Sequence, residues 1–268
     1  MSFLSLENKN ILVSGVGNKK SIAAHVARIL REEGARVILA VRDPAAREAA
    51  LKLFPDAPVF RCDVEKDDEI AALADGVGAA HAPLAGFLHC LAFANFSEGR
   101  KPFHETERED FFQAMNIGMF SLVALSRALA PHLAPDASVV TLSISATSMA
   151  AASYGYMAPV KAALDSAVPF LAKSFSAFSR VRFNAVCAGL LKTSASAGIP
   201  GYLENYLFAE QATFRHRALS TDEAARLAVF LLSPASSGMN GGRHVIDAGM
   251  GSNYFDESLV RAATRVDR

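Results

Sequence analysis

The chain is predicted to fold as an α/β protein, a doubly wound parallel sheet of about seven strands in a single domain. Three observations predict it. Apolar runs of strand length recur along the chain, stretches of helical period separate them, and no linker, low-complexity tract or internal repeat divides the 268 residues. Strand and helix in alternation imply right-handed crossovers, with helices on both faces and ligands at the carboxyl ends of the strands.

In chain order the strands are NILVS (10–14), RVILAV (36–41), PVFRC (58–62), GFLHCLA (86–92), SVVTLS (138–143), VRFNAVC (181–187) and RHVID (243–247). The first helix lies in SIAAHVARILREEGA, where Ser21 is the cap, Ile22, Val26, Ile29 and Leu30 form one stripe, and Gly34 is the stop. Asp43 is placed to cap a second helix opening at Pro44, and EKDDEI opens a third with its acids in the first turn. Apolar helices follow around 111–130 and 160–178, and another begins near Thr221. The stretch 188–218 breaks this rhythm, mixing Gly, Ser and Pro with a short apolar helix. It predicts a lid over 194–212, above the ligand crevice.

Lys plus Arg equal Asp plus Glu at 27 each, which gives no support to a nucleic-acid partner. Cys62, Cys90 and Cys187 lie far apart with neither metal-ligand nor disulfide spacing, and HETERED (104–110) is not HExxH, so no metal is expected. His89, in an apolar strand, reads as a core histidine. The first residues lack a signal-peptide pattern and no run of about 18 apolar residues occurs, so the expectation is a cytoplasmic protein without a membrane segment.

Four motifs carry chemistry. In SGVGNKKSIAAHV, Gly15 and Gly17 permit a tight turn into a helix capped by Ser21, whose free N–H groups would face a pyrophosphate, the Rossmann-type arrangement for a dinucleotide. In AVRDP, Arg42 ends the second strand where the adenosine ribose lies. It either pairs with a 2′-phosphate, which leans the cofactor toward NADPH rather than NADH, or is a solvated side chain. In CDV, Asp63 either accepts from the adenine amino group, with Val64 on the ring, or caps the next helix. In SYGYMAPVK, Tyr154 and Lys161 are seven apart, about 700° of helical rotation, so on one helix they would share a face and the lysine would favour the phenolate. Tyr156 is out of phase with Lys161. Pro159 conflicts with a helix interior unless the helix begins nearby or kinks at Gly155.

With GVGNKKSIA, CDV, HCLAFA, the Tyr154–Lys161 spacing and NAVCAGLLKTSASAGI in view, the chain resembles the enoyl-[acyl-carrier-protein] reductases, a divergent branch of the short-chain dehydrogenase/reductase superfamily. The resemblance covers nearly the whole chain. It implies that Gly15, Ser21 and Ile22 hold the pyrophosphate end of NADPH or NADH, that Asp63 and Val64 hold adenine, and that Leu91 lines the cofactor cleft. It further implies that Lys161 binds the nicotinamide ribose, Leu191 and Thr193 meet the nicotinamide side, Ala94 approaches the acyl thioester, and Tyr154 donates to its carbonyl oxygen. The implied reaction, in fatty acid synthesis, reduces a trans-2-enoyl thioester carried on acyl carrier protein or coenzyme A, in a homotetramer. Three positions depart from the family pattern: Ile144 replaces a tyrosine or other aromatic, Leu190 a proline, and IDAG a VDGG-like motif. Those departures keep two alternatives open, a β-keto carbonyl reductase on the same fold and a non-catalytic dinucleotide sensor.

Overall fold

In a computed structural model of the chain, which describes residues 2–97, 99, 101–151, 154–193, 196 and 201–264, one sheet contains β1 (Asn10–Ser14), β2 (Arg36–Val41), β3 (Val59–Arg61), β4 (Leu84–His89), β5 (Leu133–Ile144), β6 (Arg182–Ala188) and β7 (Arg243–Ile246). All pairs are parallel, in the order β3-β2-β1-β4-β5-β6-β7. The predicted number and alternation hold, and the bounds move. β4 stops at His89 rather than continuing to residue 92, because Cys90 and Leu91 turn off the carboxyl edge. β5 reaches back to Leu133, where it pairs with Leu84 before a register shift.

The helices are α1 (Ile22–Glu32), α2 (Pro44–Leu53), α3 (Asp67–His81), α4 (Arg108–Met115), α5 (Ser121–Leu129), α6 (Met157–Phe175), α7 (Tyr202–Ala212), α8 (Thr221–Leu232) and α9 (Glu257–Thr264). Alternation along each strand sends its side chains to two cores. Ile11, Val13, Leu88, Val140 and Val186 meet α1 and α8. On the other face Leu12, Phe87, Val139 and Phe183 meet α3, α5 and α6. Each fully buried residue of this kind contributes about 1.5–3 kcal/mol. A π-helical turn over Asn116–Phe120 joins α4 to α5, and there Gly118 lies so close to α6 that a Cβ would sit 2.9 Å from Val160 Cγ1. The continuous helix Arg108–His132 is long and apolar enough to cross a membrane by length and composition, but Leu122, Leu125 and Leu129 bury its inner face in the core.

His89 is a satisfied core histidine, as its apolar strand suggests. Ser121 Oγ donates to the Ile117 carbonyl at 2.6 Å, so its oxygen must accept from His89 Nε2 at 2.8 Å, which leaves Nδ1 to accept from Thr141 at 2.9 Å. That tautomer is neutral. Burial, with the charge of Lys161 added, holds the imidazole down to about 3.

An unfolded histidine titrates near 6.5, so between that pH and about 3 the unfolded chain binds the extra proton. The stability contributed by the neutral ring is complete above the unfolded value and is lost as pH falls, by up to about 1.4 kcal/mol per unit. Urea unfolding from pH 7 to 4 is expected to show this slope in the wild type and a shallower one in His89→Gln. Equal slopes would show that His89 binds no proton on unfolding.

Candidate active site

The strand order reverses between β1 and β4, and the crevice opens there. Gly15 leaves β1 at φ +89°, and a Cβ on it would lie 2.0 Å from the Cys90 carbonyl oxygen at the end of β4. Gly17 differs: a Cβ there would meet nothing within 4 Å, so only Gly15 is structurally required to be glycine. The turn is organised instead by Asn18, a residue the motif reading passed over. Its Oδ1 accepts from Lys20 N at 2.9 Å, and its carbonyl accepts from Ser21 N at 3.1 Å and Ser21 Oγ at 2.8 Å. Ser21 caps α1 as expected, accepting from Ala24 N at 3.3 Å. Ile22, whose N–H has no acceptor within the helix, packs with Leu191, Ala188, Leu219 and Ala224, which joins the first turn of α1 to the segment leaving β6.

At the far end of the crevice, Asp43 caps α2 through Ala46 N at 2.8 Å and also accepts from Arg42 Nε at 3.0 Å. The terminal nitrogens of exposed Arg42 have no protein partner among the described residues. Asp63 does not cap the third helix; the cap position is Lys66. Asp63 Oδ1 accepts from Glu65 N at 3.2 Å, and Asp63 N donates to Glu69 at 2.9 Å. Glu69 also draws in Arg61 and Lys66, and its bond to Arg61 does most to hold its carboxyl down to about 2. Val64 and Leu91 are half-buried against the core beneath.

The Tyr154–Lys161 geometry differs from the single helix expected. α6 begins only at Met157, and Tyr154 lies in the preceding turn, where Gly155 takes φ +53° and Met157 N donates to the Tyr154 carbonyl at 3.2 Å. This resolves the conflict at Pro159, which stands in the first helical turn, where its missing N–H costs nothing. Lys161 is buried and donates from Nζ to the Leu142 carbonyl at 2.7 Å. One turn on, Asp165 has Arg243 Nε 2.7 Å from Oδ2, an ion pair whose N–H is not aimed at the oxygen.

Lys161 therefore does not favour a phenolate at Tyr154. Burial, then the charge of Tyr202, pushes the Tyr154 phenol above its ordinary value, and its hydroxyl has no hydrogen bond among the described residues. It is a protonated donor in an apolar wall. Tyr154 and Ala94 pack on the cluster of Ala114, Tyr156, Met157 and Val160, so two predicted substrate contacts do come together. Tyr156 is occupied elsewhere: its hydroxyl accepts from Asn95 N at 2.9 Å and donates to Asn95 O at 3.3 Å. Ile144 ends β5 opposite Ala188.

Beyond β6, Leu191 is buried, and its N–H and carbonyl both bond the Tyr202 hydroxyl at 3.0 and 2.8 Å. Thr193 is tied through its N–H to Ser196 Oγ at 2.9 Å. Leu190, Tyr206, Leu219 and Asp247 line a small pocket under α7. Of the predicted lid, α7 accounts for 202–212, whereas 194, 195 and 197–200 lie outside the described residues. Tyr202 gave no sequence signal, since its partner is a backbone unit eleven residues away, whereas Asn18, two residues from its Lys20 partner, could have been read as a turn former. Among the described residues no cluster of His, Cys, Asp and Glu could hold a metal ion.

A family model described as enoyl-(acyl carrier protein) reductase matches residues 15–251. The NADH-named enoyl-[acyl-carrier-protein] reductase FabI of Bacillus subtilis is 33% identical, covering 91% of this chain and 96% of its own. The NADPH-named FabI of Staphylococcus aureus is 30% identical over 92% and 98%. Two solved structures superpose closely. The NADH enzyme of Aquifex aeolicus does so with TM-score 0.87 and 30% identity over 92% of this chain and 97% of that one. The Bacillus cereus reductase with NADP+ and indole naphthyridinone does so with TM-score 0.85 and 30% identity over 91% and 96%.

Gly15→Ala tests the backbone approach that opens the crevice. The added methyl meets a carbonyl rather than a flexible side chain, and its backbone is in the left-handed region. Urea unfolding should show a loss of about 2 kcal/mol or more, with Gly17→Ala within about 1 kcal/mol of wild type. Equal effects at the two positions would refute the argument.

Proposed function

Because the chain belongs to the enoyl-[acyl-carrier-protein] reductase family, we propose that it reduces a trans-2-enoyl thioester to the saturated acyl thioester in fatty acid synthesis, as an NAD(P)H-dependent oxidoreductase. The observation that carries the reading is the family match across residues 15–251, which spans every site residue named above. The acyl group arrives on acyl carrier protein, with coenzyme A as the alternative carrier.

The crevice suits a dinucleotide on its own chemistry. Gly15 admits a backbone approach that a Cβ would block, α1 presents a capped N-terminus, and Lys161 is a buried cation whose three N–H donors have one hydrogen-bond acceptor among the described residues. Gly15, Ser21 and Ile22 hold the pyrophosphate. Asp63 and Val64 hold adenine, Leu91 lines the cleft, Lys161 grips the nicotinamide ribose, and Leu191 and Thr193 border the nicotinamide. The cofactor supplies hydride for the β-carbon. Tyr154 donates from its hydroxyl to the thioester oxygen as that oxygen gains enolate character, and a hydroxyl without a hydrogen bond among the described residues, set beside Ala94, supports the assignment. Ala94 and Ile144 wall the acyl chain, with Ile144 adding no hydrogen bond.

The chain acts as a single dinucleotide-binding domain, with α7 and the stretch before it as the lid. A homotetramer is supported by the large apolar side chains left exposed at Phe112, Phe120, Phe170, Phe178 and Val245, which a further subunit would cover. Three free cysteines accord with a cytoplasmic location.

Following NADPH and NADH oxidation with matched enoyl and β-keto thioesters tests the reaction. Turnover of the enoyl thioester is expected; turnover of the β-keto compound alone would make it a carbonyl reductase, and binding without turnover a sensor. Tyr154→Phe should lower kcat about 100-fold, with cofactor Kd changed less than about twofold, whereas Lys161→Met should weaken cofactor binding about tenfold or more. Undiminished turnover by Tyr154→Phe would remove it from the mechanism. Arg42 selects NADPH, since its unpaired terminal nitrogens can fork onto a 2′-phosphate while Nε stays on Asp43. Arg42→Gln should therefore raise KM for NADPH about tenfold or more and leave that for NADH nearly unchanged, measured by initial rates. Equal changes for both cofactors would show that Arg42 is not the discriminator.

A further inference from the structure

One polar arrangement in the crevice has no part in the reaction above. The hydroxyl of Tyr202, the first residue of α7, accepts from the Leu191 N–H at 3.0 Å and donates to the Leu191 carbonyl at 2.8 Å. One phenol oxygen thus occupies both backbone groups of a single buried residue. Ser196 Oγ donates to the same carbonyl at 2.8 Å and keeps this stretch in register. A primary carboxamide matches such a pair more fully than a phenol does, because its carbonyl oxygen meets the N–H while its separate N–H₂ meets the C=O. The nicotinamide ring carries a carboxamide, and Leu191 borders that ring in the reading given above.

We infer that Tyr202 is a displaceable stand-in for the cofactor's carboxamide, holding the Leu191 donor–acceptor pair in the free protein and releasing the N-terminal end of α7 when the dinucleotide binds. The inference deepens the proposed function and rests on it. The anchoring of α7 supports it. The N-terminal end has no side-chain cap, and the residue before it, Gly201, takes φ +72°; the Tyr202 hydroxyl ties this end to the segment leaving β6, with the Lys192 ammonium 4.4 Å over the Tyr206 ring beside it. The other end is held independently: Asn253 Nδ2 donates to the Ala212 carbonyl at 2.9 Å, and Thr213 Oγ1 donates to the carbonyls of Glu210 and Arg217 at 2.9 and 3.1 Å. Displacement would therefore swing α7 about its C-terminal end. Leu203, Leu207 and Phe208 are already exposed, and the buried residues of α7 are Tyr206, Ala209 and Ala212, so lifting the first turn uncovers Tyr206 first.

Tyr202→Phe removes the hydroxyl and keeps the ring. Affinities are measured for NADH against ADP-ribose, and for NADPH against the 2′-phosphorylated ADP-ribose, each pair differing by the nicotinamide alone. Removing a competing state that holds roughly two-thirds to nine-tenths of the molecules should tighten the intact dinucleotides about three- to tenfold, with the ADP-ribose compounds within about twofold. Limited proteolysis should cut free Tyr202→Phe near 202–212 faster than free wild type. In wild type, NADPH or NADH should change the cleavage of this segment and the ADP-ribose compounds should not. Tyr202→Met should behave as Tyr202→Phe does, which excludes a peculiarity of one replacement. Unchanged dinucleotide affinity, or a parallel shift of dinucleotides and ADP-ribose compounds, would overturn the stand-in and leave the proposed reaction intact. If wild type binds none of the four compounds, the dinucleotide reading falls and the inference falls with it.

Discussion

The contact between Gly15 and the Cys90 carbonyl sets the geometry on which the rest of the site depends. β1 and β4 are neighbours, and Ser14 joins their ends by donating to the Leu88 carbonyl at 3.0 Å and accepting from Cys90 N at 3.3 Å. Past that hydroxyl the two chains diverge, one into α1 and the other toward Leu91 and Ala94. The divergence starts at backbone contact because Gly15 has no Cβ. The crevice floor is therefore backbone, and the capped end of α1 lies along one side of it. A larger residue at position 15 would part the strands at the point where the crevice opens.

Two buried cations show how the same physics serves structure and chemistry. Arg182 donates to the carbonyls of Leu231, Ser233, Ser236 and Met239, and to Ser236 Oγ, at 2.8 to 3.2 Å, gathering the C-terminal end of α8 against β6. Both of its terminal nitrogens are occupied by protein acceptors, and so it is a fastening. Lys161, equally removed from water, has one acceptor at the Leu142 carbonyl among the described residues. Burial lowers its pKa by penalising the charge, while Cys90 and Asp165 push it back up. A desolvated ammonium with donors to spare is prepared for ligand hydroxyls.

Much of the fold was legible because its signals are local. The caps at Ser21 and Asp43 close over three residues, the acids opening α3 act within one turn, and the division of β1 side chains between the two cores follows from a period of two. His89 was legible as a core residue, although its partners Thr141 and Ser121, 52 and 32 residues away, were not. The Tyr154–Lys161 reading assumed one helix for both residues, and the structure places Tyr154 ahead of it. Periodicity cannot register a helix start set by one left-handed glycine at 155, so the two side chains were assigned a shared face when one of them precedes the helix.

From its sequence alone, this chain declares a seven-strand parallel architecture, the turn from its first strand into a helix capped by Ser21, and the start of its second helix at Pro44. Each depends on interactions spanning a few residues or on a pattern repeated many times. Only the tertiary structure decides what each side chain does. It turns Arg42 onto Asp43, commits Tyr156 to the Asn95 backbone, leaves Tyr154 protonated in an apolar wall, and brings Tyr202 onto Leu191. The backbone partners of Tyr156 and Tyr202 share the same peptide chemistry at every residue, so no side-chain pattern can mark them. Which N–H and C=O remain free within reach is fixed only when the strands have paired and the loops have been placed.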